Sequence, residues 1–170
     1  MKEIEVKILE VNKEKLEKRI RDLWGFKIFS GTIITYYFDY DNNQLEKEGK
    51  VLRLRDESGK ITLTLKEGVS SEKAKIMDEY EVRLGDFELM RDLLVRLGLK
   101  EKQKIEKHRT SYVLNDVHIE IDTHPDIPTF IEIEAPSIEE LKEYVEKLGF
   151  KMEDTKPWSV WDVLEYYGKK

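Results

Sequence analysis

Seven stretches of this chain alternate apolar and charged residues with a period of two, and a strand places such alternate side chains on opposite faces. In the first, Glu3, Glu5 and Lys7 share one face while Ile4, Val6 and Ile8 share the other. Three of the other six are Arg53 and Arg55 between Leu52 and Leu54, Lys66 beside Leu63 and Leu65, and Glu79, Glu81 and Arg83 around Tyr80, Val82 and Leu84. The remaining three are Lys107 and Arg109 before Ser111, Glu120 and Asp122 around Ile119 and Ile121, and Glu132 and Glu134 around Ile131 and Ile133. A single solvated edge strand looks the same, so the weight rests on recurrence.

Helical spacing separates these strands. Asn12 caps a helix over Lys13 to Trp24 with the stripe Leu16, Ile20, Leu23 and Trp24, ended by Gly25. Asp86 caps a second through Leu97, turning Phe87, Met90, Leu93, Leu94 and Leu97 inward. Ser137, with Glu140 three residues on, starts a third through Leu148, burying Ile138, Leu141, Tyr144, Val145 and Leu148. A last helix is expected from Pro157 to about Tyr167. Gly31 to Tyr40 reads as a strand, and Lys50 to Arg55 with Lys60 to Lys66 as a hairpin around Ser58-Gly59. Glu67 to Ile76 shows no period and reads as a mobile loop. Lys100 to Leu114 is a long polar strand, turning at Asn115-Asp116 into His118 to Asp122, with Thr129 to Ala135 after a Pro125 and Pro128 loop. The unit of a charged strand, a capped helix and a stop at Gly recurs three times, and the hairpins between units argue for an antiparallel sheet.

Three amphipathic helices need an apolar partner, and the strands' apolar faces are the large supply. The charged side then faces either open water or the lumen of a barrel that eight strands suffice to close. Eight carboxylates (Glu3, Glu5, Glu79, Glu81, Glu120, Asp122, Glu132, Glu134) nearly balance seven bases (Lys7, Arg53, Arg55, Lys66, Arg83, Lys107, Arg109). A lumen so lined suits a polyanion with divalent cations, because Arg and Lys donate to phosphate oxygens and carboxylates hold Mg²⁺ or Mn²⁺.

Composition narrows the chemistry. Cysteine is absent and the three His (His108, His118, His124) are dispersed, so any metal would be held by oxygen. A net charge of −6 gives no basic footprint for nucleic acid. No apolar run approaches the roughly 20 residues of a membrane span, and no signal-peptide core opens the chain, so a cytoplasmic location is expected. The length of 170 residues fits one domain, 1–170.

Glu3-x-Glu5-x-Lys7 resembles the ExExK signature of the CYTH family, the triphosphate tunnel metalloenzymes that include class IV adenylyl cyclases and thiamine triphosphatases. The downstream order strengthens the likeness: Arg53-x-Arg55, Lys66, Glu79-x-Glu81-x-Arg83, Lys107-x-Arg109, Glu120-x-Asp122 and Glu132-x-Glu134. It covers Met1 to about Ala135. One departure lies near the end, where the family often places Ser then Tyr before Leu and this chain has Ser159 followed by Val160.

The resemblance implies an α+β fold, an eight-stranded antiparallel closed barrel (a triphosphate tunnel) with amphipathic helices outside. It implies triphosphate contacts from Lys7, Arg53, Arg55, Lys66, Arg83, Lys107 and Arg109. Metal ligands would be Glu3, Glu5, Glu120, Asp122, Glu132 and Glu134, for Mg²⁺ or Mn²⁺, and the catalytic set Glu5, Lys7, Lys66 and Asp122. Glu81 and Arg83 look like charge-pairing tunnel residues. The expected substrate is a small triphosphate (ATP, thiamine triphosphate or tripolyphosphate), handled by a monomer or homodimer. A class IV adenylyl cyclase is the closer likeness, and a triphosphatase is the runner-up. A non-catalytic polyphosphate or nucleotide binder is the alternative of another class.

Overall fold

The protein, in a computed structural model that describes residues 2–70 and 75–169, runs β1 (Lys2–Ile8), α1 (Lys13–Asp22), β2 (Phe26–Asp39), α2 (Gln44–Lys47), β3 (Lys50–Glu57), β4 (Lys60–Ser70) and β5 (Lys75–Leu84). Then follow α3 (Phe87–Arg96), β6 (Lys100–Leu114), β7 (Val117–His124), β8 (Ile127–Ala135), α4 (Ile138–Lys147) and α5 (Val160–Tyr166), with one 3₁₀ turn at Met152–Asp154. Hydrogen bonding orders the strands β1-β5-β4-β3-β2-β6-β7-β8, the expected eight-stranded antiparallel barrel. The chain divides into two compact units, one made of Gly31–Val69 and Met77–Lys107, the other mainly of Lys2–Ser30 and the chain from His108 onward.

In the second unit, register fixes which residues share a face. Ile4, Val6 and Ile8 of β1 stand opposite Ala135, Ile133 and Ile131 of β8, and Ile119 of β7 stands opposite both Ile133 and Tyr112. This apolar face is buried under Leu16 and Ile20 of α1 and Leu141, Tyr144 and Val145 of α4. The helices begin where short polar side chains satisfy their first N–H groups: Asn12 accepts from the Lys15 N–H at 2.9 Å and Ser137 from that of Glu140 at 3.1 Å. In the first unit Phe38, Leu54, Leu94 and Leu99 form the buried cluster, with Tyr36, Phe87 and Met90 packed on it. Asp86 caps α3 through the Leu89 N–H at 2.9 Å.

Several sequence expectations need correction. The polar stretch from Glu67 is not a loop throughout: β4 continues to Ser70 and β5 begins at Lys75, while residues 71–74 lie outside the described residues. Backbone ladder bonds outweigh the missing side-chain period there. β2 starts at Phe26, five residues before Gly31. Trp24 is not part of the α1 stripe: it is 85% exposed and left-handed (φ 65°). The chain must turn there from α1 into β2, and a Cβ at Gly25 would stand 2.5 Å from Ile20 Cγ2, so Gly25 permits the close return. Leu97, expected inward, is 73% exposed just past the end of α3. The last helix begins at Val160 rather than Pro157, because Ser159 and Asp162 form a reciprocal capping box.

Candidate functional site

Register gathers the charged residues of the second unit into cross-strand rows. Ser111, Glu120, Glu132 and Lys7 stand opposite one another in turn across β6, β7, β8 and β1. One row beyond, Arg109 faces Asp122, which faces Phe130. On the other side His118 faces Glu134, which faces Glu5. Because a strand alternates its faces, all these positions lie opposite the apolar face that α1 and α4 cover.

Burial makes the pairing in these rows consequential. Asp122 is 0% exposed and Arg109 grips it with two parallel bonds, Nε to Oδ1 and Nη2 to Oδ2, each 2.7 Å. This bidentate geometry suits a guanidinium and not an ammonium. The same guanidinium lies 3.4 Å from Glu120 Oε2 and 3.9 Å from Glu132 Oε2. The Lys7 ammonium stands 2.9 Å from Glu132 Oε2 and 3.4 Å from Glu5 Oε1. Burial alone would lower the Lys7 pKa, but the negative charges of Glu132 and Glu5 more than offset it and hold the group above the ordinary lysine value. Arg109 is likewise raised, with Asp122 and Glu120 overcoming its desolvation. Ser111 Oγ donates a short hydrogen bond to Glu120 Oε2. The Lys7 backbone is held separately, exchanging two 2.8 Å hydrogen bonds with Lys156.

The first unit carries its own charged face. Tyr37, Arg53 and Thr64 form one cross-strand row, and Thr35, Arg55 and Thr62 the next. Arg53 Nη2 donates to Glu79 Oε1 at 3.0 Å, and Lys66 Nζ is 2.7 Å from Glu79 Oε2, so one carboxylate holds two cations. Arg53 Nε is buried and has no hydrogen-bond partner among the described residues. A buried donor left so costs about 1–3 kcal/mol, and an anionic oxygen would relieve it. Arg55 Nε reaches Thr35 Oγ1 at 3.4 Å, and Thr64 Oγ1 donates to Glu81 Oε2 at 3.1 Å.

The residues singled out by sequence thus fall into two groups. Arg53, Arg55, Lys66, Glu79 and Glu81 belong to the first unit's face; Glu5, Lys7, Arg109, Glu120, Asp122, Glu132 and Glu134 belong to the second's. Lys107 is buried and Arg83 exposed, both in the first unit. The side chain of Glu3 lies outside the described residues. Asp39 serves the backbone, accepting from the N–H groups of Tyr40, Leu45 and Glu46 at 2.6, 2.9 and 3.0 Å. Ser111, Thr35, Thr64 and Phe130 were not anticipated, although strand parity alone puts them beside the charges.

Carboxylates outnumber cations on the second face, with Glu5, Glu120, Asp122, Glu132 and Glu134 against Lys7 and Arg109. Their oxygens are the donors a hard dication takes, and the surplus negative charge fits one. Among the described residues no three acids stand in ligating geometry.

The sequence matches the CYTH domain over residues 1–160, and the chain belongs to that family. A Methanocaldococcus jannaschii protein provisionally named an adenylate cyclase is 30% identical over 161 residues, covering 94% of this chain and 91% of its own length. The PH1012 protein of Pyrococcus horikoshii superposes with a TM-score of 0.78 at 29% identity, over 92% of this chain and 96% of that one. The fold also recurs in the Hippeastrum protein HpAC1, described as having a dominant triphosphatase activity, with a TM-score of 0.72 at 18% identity over 99% and 97% of the two chains.

Proposed function

We propose that this chain is a divalent-metal-dependent enzyme acting on a triphosphate, most like a class IV adenylyl cyclase that converts ATP to cyclic AMP and pyrophosphate. The observation that carries this reading is the second unit's charged face, where the buried cations Lys7 and Arg109 sit among five carboxylates. A binding module would gain nothing from so many acids beside a polyanion, whereas a phosphoryl-transfer site needs both signs.

Glu5, Glu120, Asp122, Glu132 and Glu134, with Glu3, would hold Mg²⁺ or Mn²⁺. When bound, such an ion supplies neutralisation of charge at phosphoryl oxygens. Lys7 and Arg109 bind phosphate oxygens, and their present carboxylate partners keep them charged and in place. Arg53, Arg55, Lys66, Lys107 and Arg83 are the remaining phosphate ligands; the unpartnered Arg53 Nε is a donor already desolvated for that purpose. Ser111 orients Glu120.

A triphosphatase is the second reading. The groups around Arg53 are guanidinium, ammonium and threonine hydroxyl groups, donors of the kind that meet phosphate oxygens, and a triphosphatase needs no further pocket for an organic group. Incubation with ATP, thiamine triphosphate and tripolyphosphate in the presence of Mg²⁺ or Mn²⁺, followed by product identification, tests both. Cyclic AMP with pyrophosphate supports the cyclase and orthophosphate the triphosphatase; no turnover of any of the three would contradict the enzymatic reading.

A further inference from the structure

On the second unit, away from its charged face, an open cleft of about 710 Å³ lies between the end of β1 and the C-terminal segment. Ile8, which lines it, belongs to the apolar face of β1, so the cleft is not part of the charged rows. Its volume is that of a small-molecule site. Its walls are aromatic: Trp158 and Tyr166 stand with ring centroids 5.3 Å apart and Phe150 adds a third ring. Its rim carries three acids, Glu10, Glu153 and Asp154, against two cations, Lys156 in the cleft and Lys151, whose ammonium stands 3.2 Å from Glu153 Oε1.

We propose that this cleft binds a planar aromatic cation. An indole face attracts positive charge through its quadrupole, and Trp158 already does so within the chain, where Lys156 Nζ lies 5.7 Å from its ring centroid. The lysine occupies the place that a ligand's charge would take. A flat ring adds the stacking area an ammonium lacks, and a rim that keeps more carboxylates than ammonium groups favours a cation over an anion. One rim acid is held for the purpose: Glu10 adopts a left-handed backbone (φ 57°), and the Tyr167 hydroxyl donates to its Oε1 at 2.9 Å. Backbone strain of this kind in a non-glycine residue persists where the surroundings over-determine it. Lys156 also ties the cleft to the charged face, since its backbone N–H and C=O bond those of Lys7.

Benzamidine, benzamide and benzoate share one shape and differ in charge, so titrating each into the intact protein isolates the chemistry. The readout is the Trp158 indole N–H resonance, assigned with Trp158→Phe. Benzamidine should shift it saturably and the other two should not. Combined Glu153→Gln and Asp154→Asn, which keep hydrogen-bonding capacity, should weaken benzamidine about tenfold, and Lys156→Met, which removes the internal competitor, should tighten it. Equal shifts from benzamide or benzoate, or affinity for benzamidine unchanged in both variants, would overturn the proposal.

Discussion

Arg109 and Asp122 face each other across the β6–β7 ladder and share two parallel 2.7 Å hydrogen bonds in a fully buried setting. Taking both charges out of water is costly, and their pairing offsets that cost only while both are present. Asp122→Asn should therefore cost about 3 kcal/mol of folding stability in denaturant titration, while Arg109→Met combined with Asp122→Leu should cost much less than the sum of the single changes. A loss below about 1 kcal/mol for Asp122→Asn would mean the pair is not a structural unit. Glu120→Gln, at a carboxylate that is only partly buried, is the cleaner probe of function.

The cations of the first unit are predicted to act through shape as well as charge. Arg53 presents Nη2 to Glu79 and leaves Nε unpartnered, and a lysine cannot reproduce that fork. Arg53→Lys should lower kcat/KM for a triphosphate roughly 10- to 150-fold, the equivalent of about 1.5–3 kcal/mol for one charge-assisted contact. Lys18→Ala, on the exposed side of α1, should change nothing measurable. Equal effects from the two would assign the role to general surface electrostatics.

Strong acid should loosen the start of α2. Burial favours the neutral form of Asp39, but backbone N–H bonds from Glu46, Leu45 and Tyr40 outweigh it and hold the carboxyl below its usual range. A depressed carboxyl contributes stability that is complete above its unfolded pKa, near 3.8, and is lost as pH falls through the lower folded value. Asp39→Asn should remove this acid-dependent part and destabilise at neutral pH by about 1.5–3 kcal/mol. Identical acid titrations of the two proteins would contradict the assignment.

Strand parity made much of the second unit legible beforehand, because period-two alternation sorts Glu5, Lys7, Glu120 and Glu132 from Ile4, Val6, Ile119 and Ile133 without knowledge of pairing. Which cation meets which acid was not legible. The Arg109–Asp122 clasp depends on register across the β6–β7 turn, and the sharing of Glu79 by Arg53 and Lys66 joins three strands. The β4 extension through Glu67 to Ser70 was hidden because ladder hydrogen bonds leave no trace in side-chain polarity. Trp24 was misplaced because hydrophobicity does not report a left-handed helix exit. The cleft at Trp158 could not be foreseen, since the Lys7–Lys156 bridge that closes it spans almost the whole chain.

Turnover of ATP and tripolyphosphate with and without Mg²⁺ or Mn²⁺, in the unaltered protein and in Glu120→Gln, tests the central claim most directly. Phosphate or pyrophosphate release that requires the metal, and that falls in Glu120→Gln while the unfolding midpoint stays put, is the predicted result. Release that is indifferent to chelation, or equal in the two proteins, would contradict it.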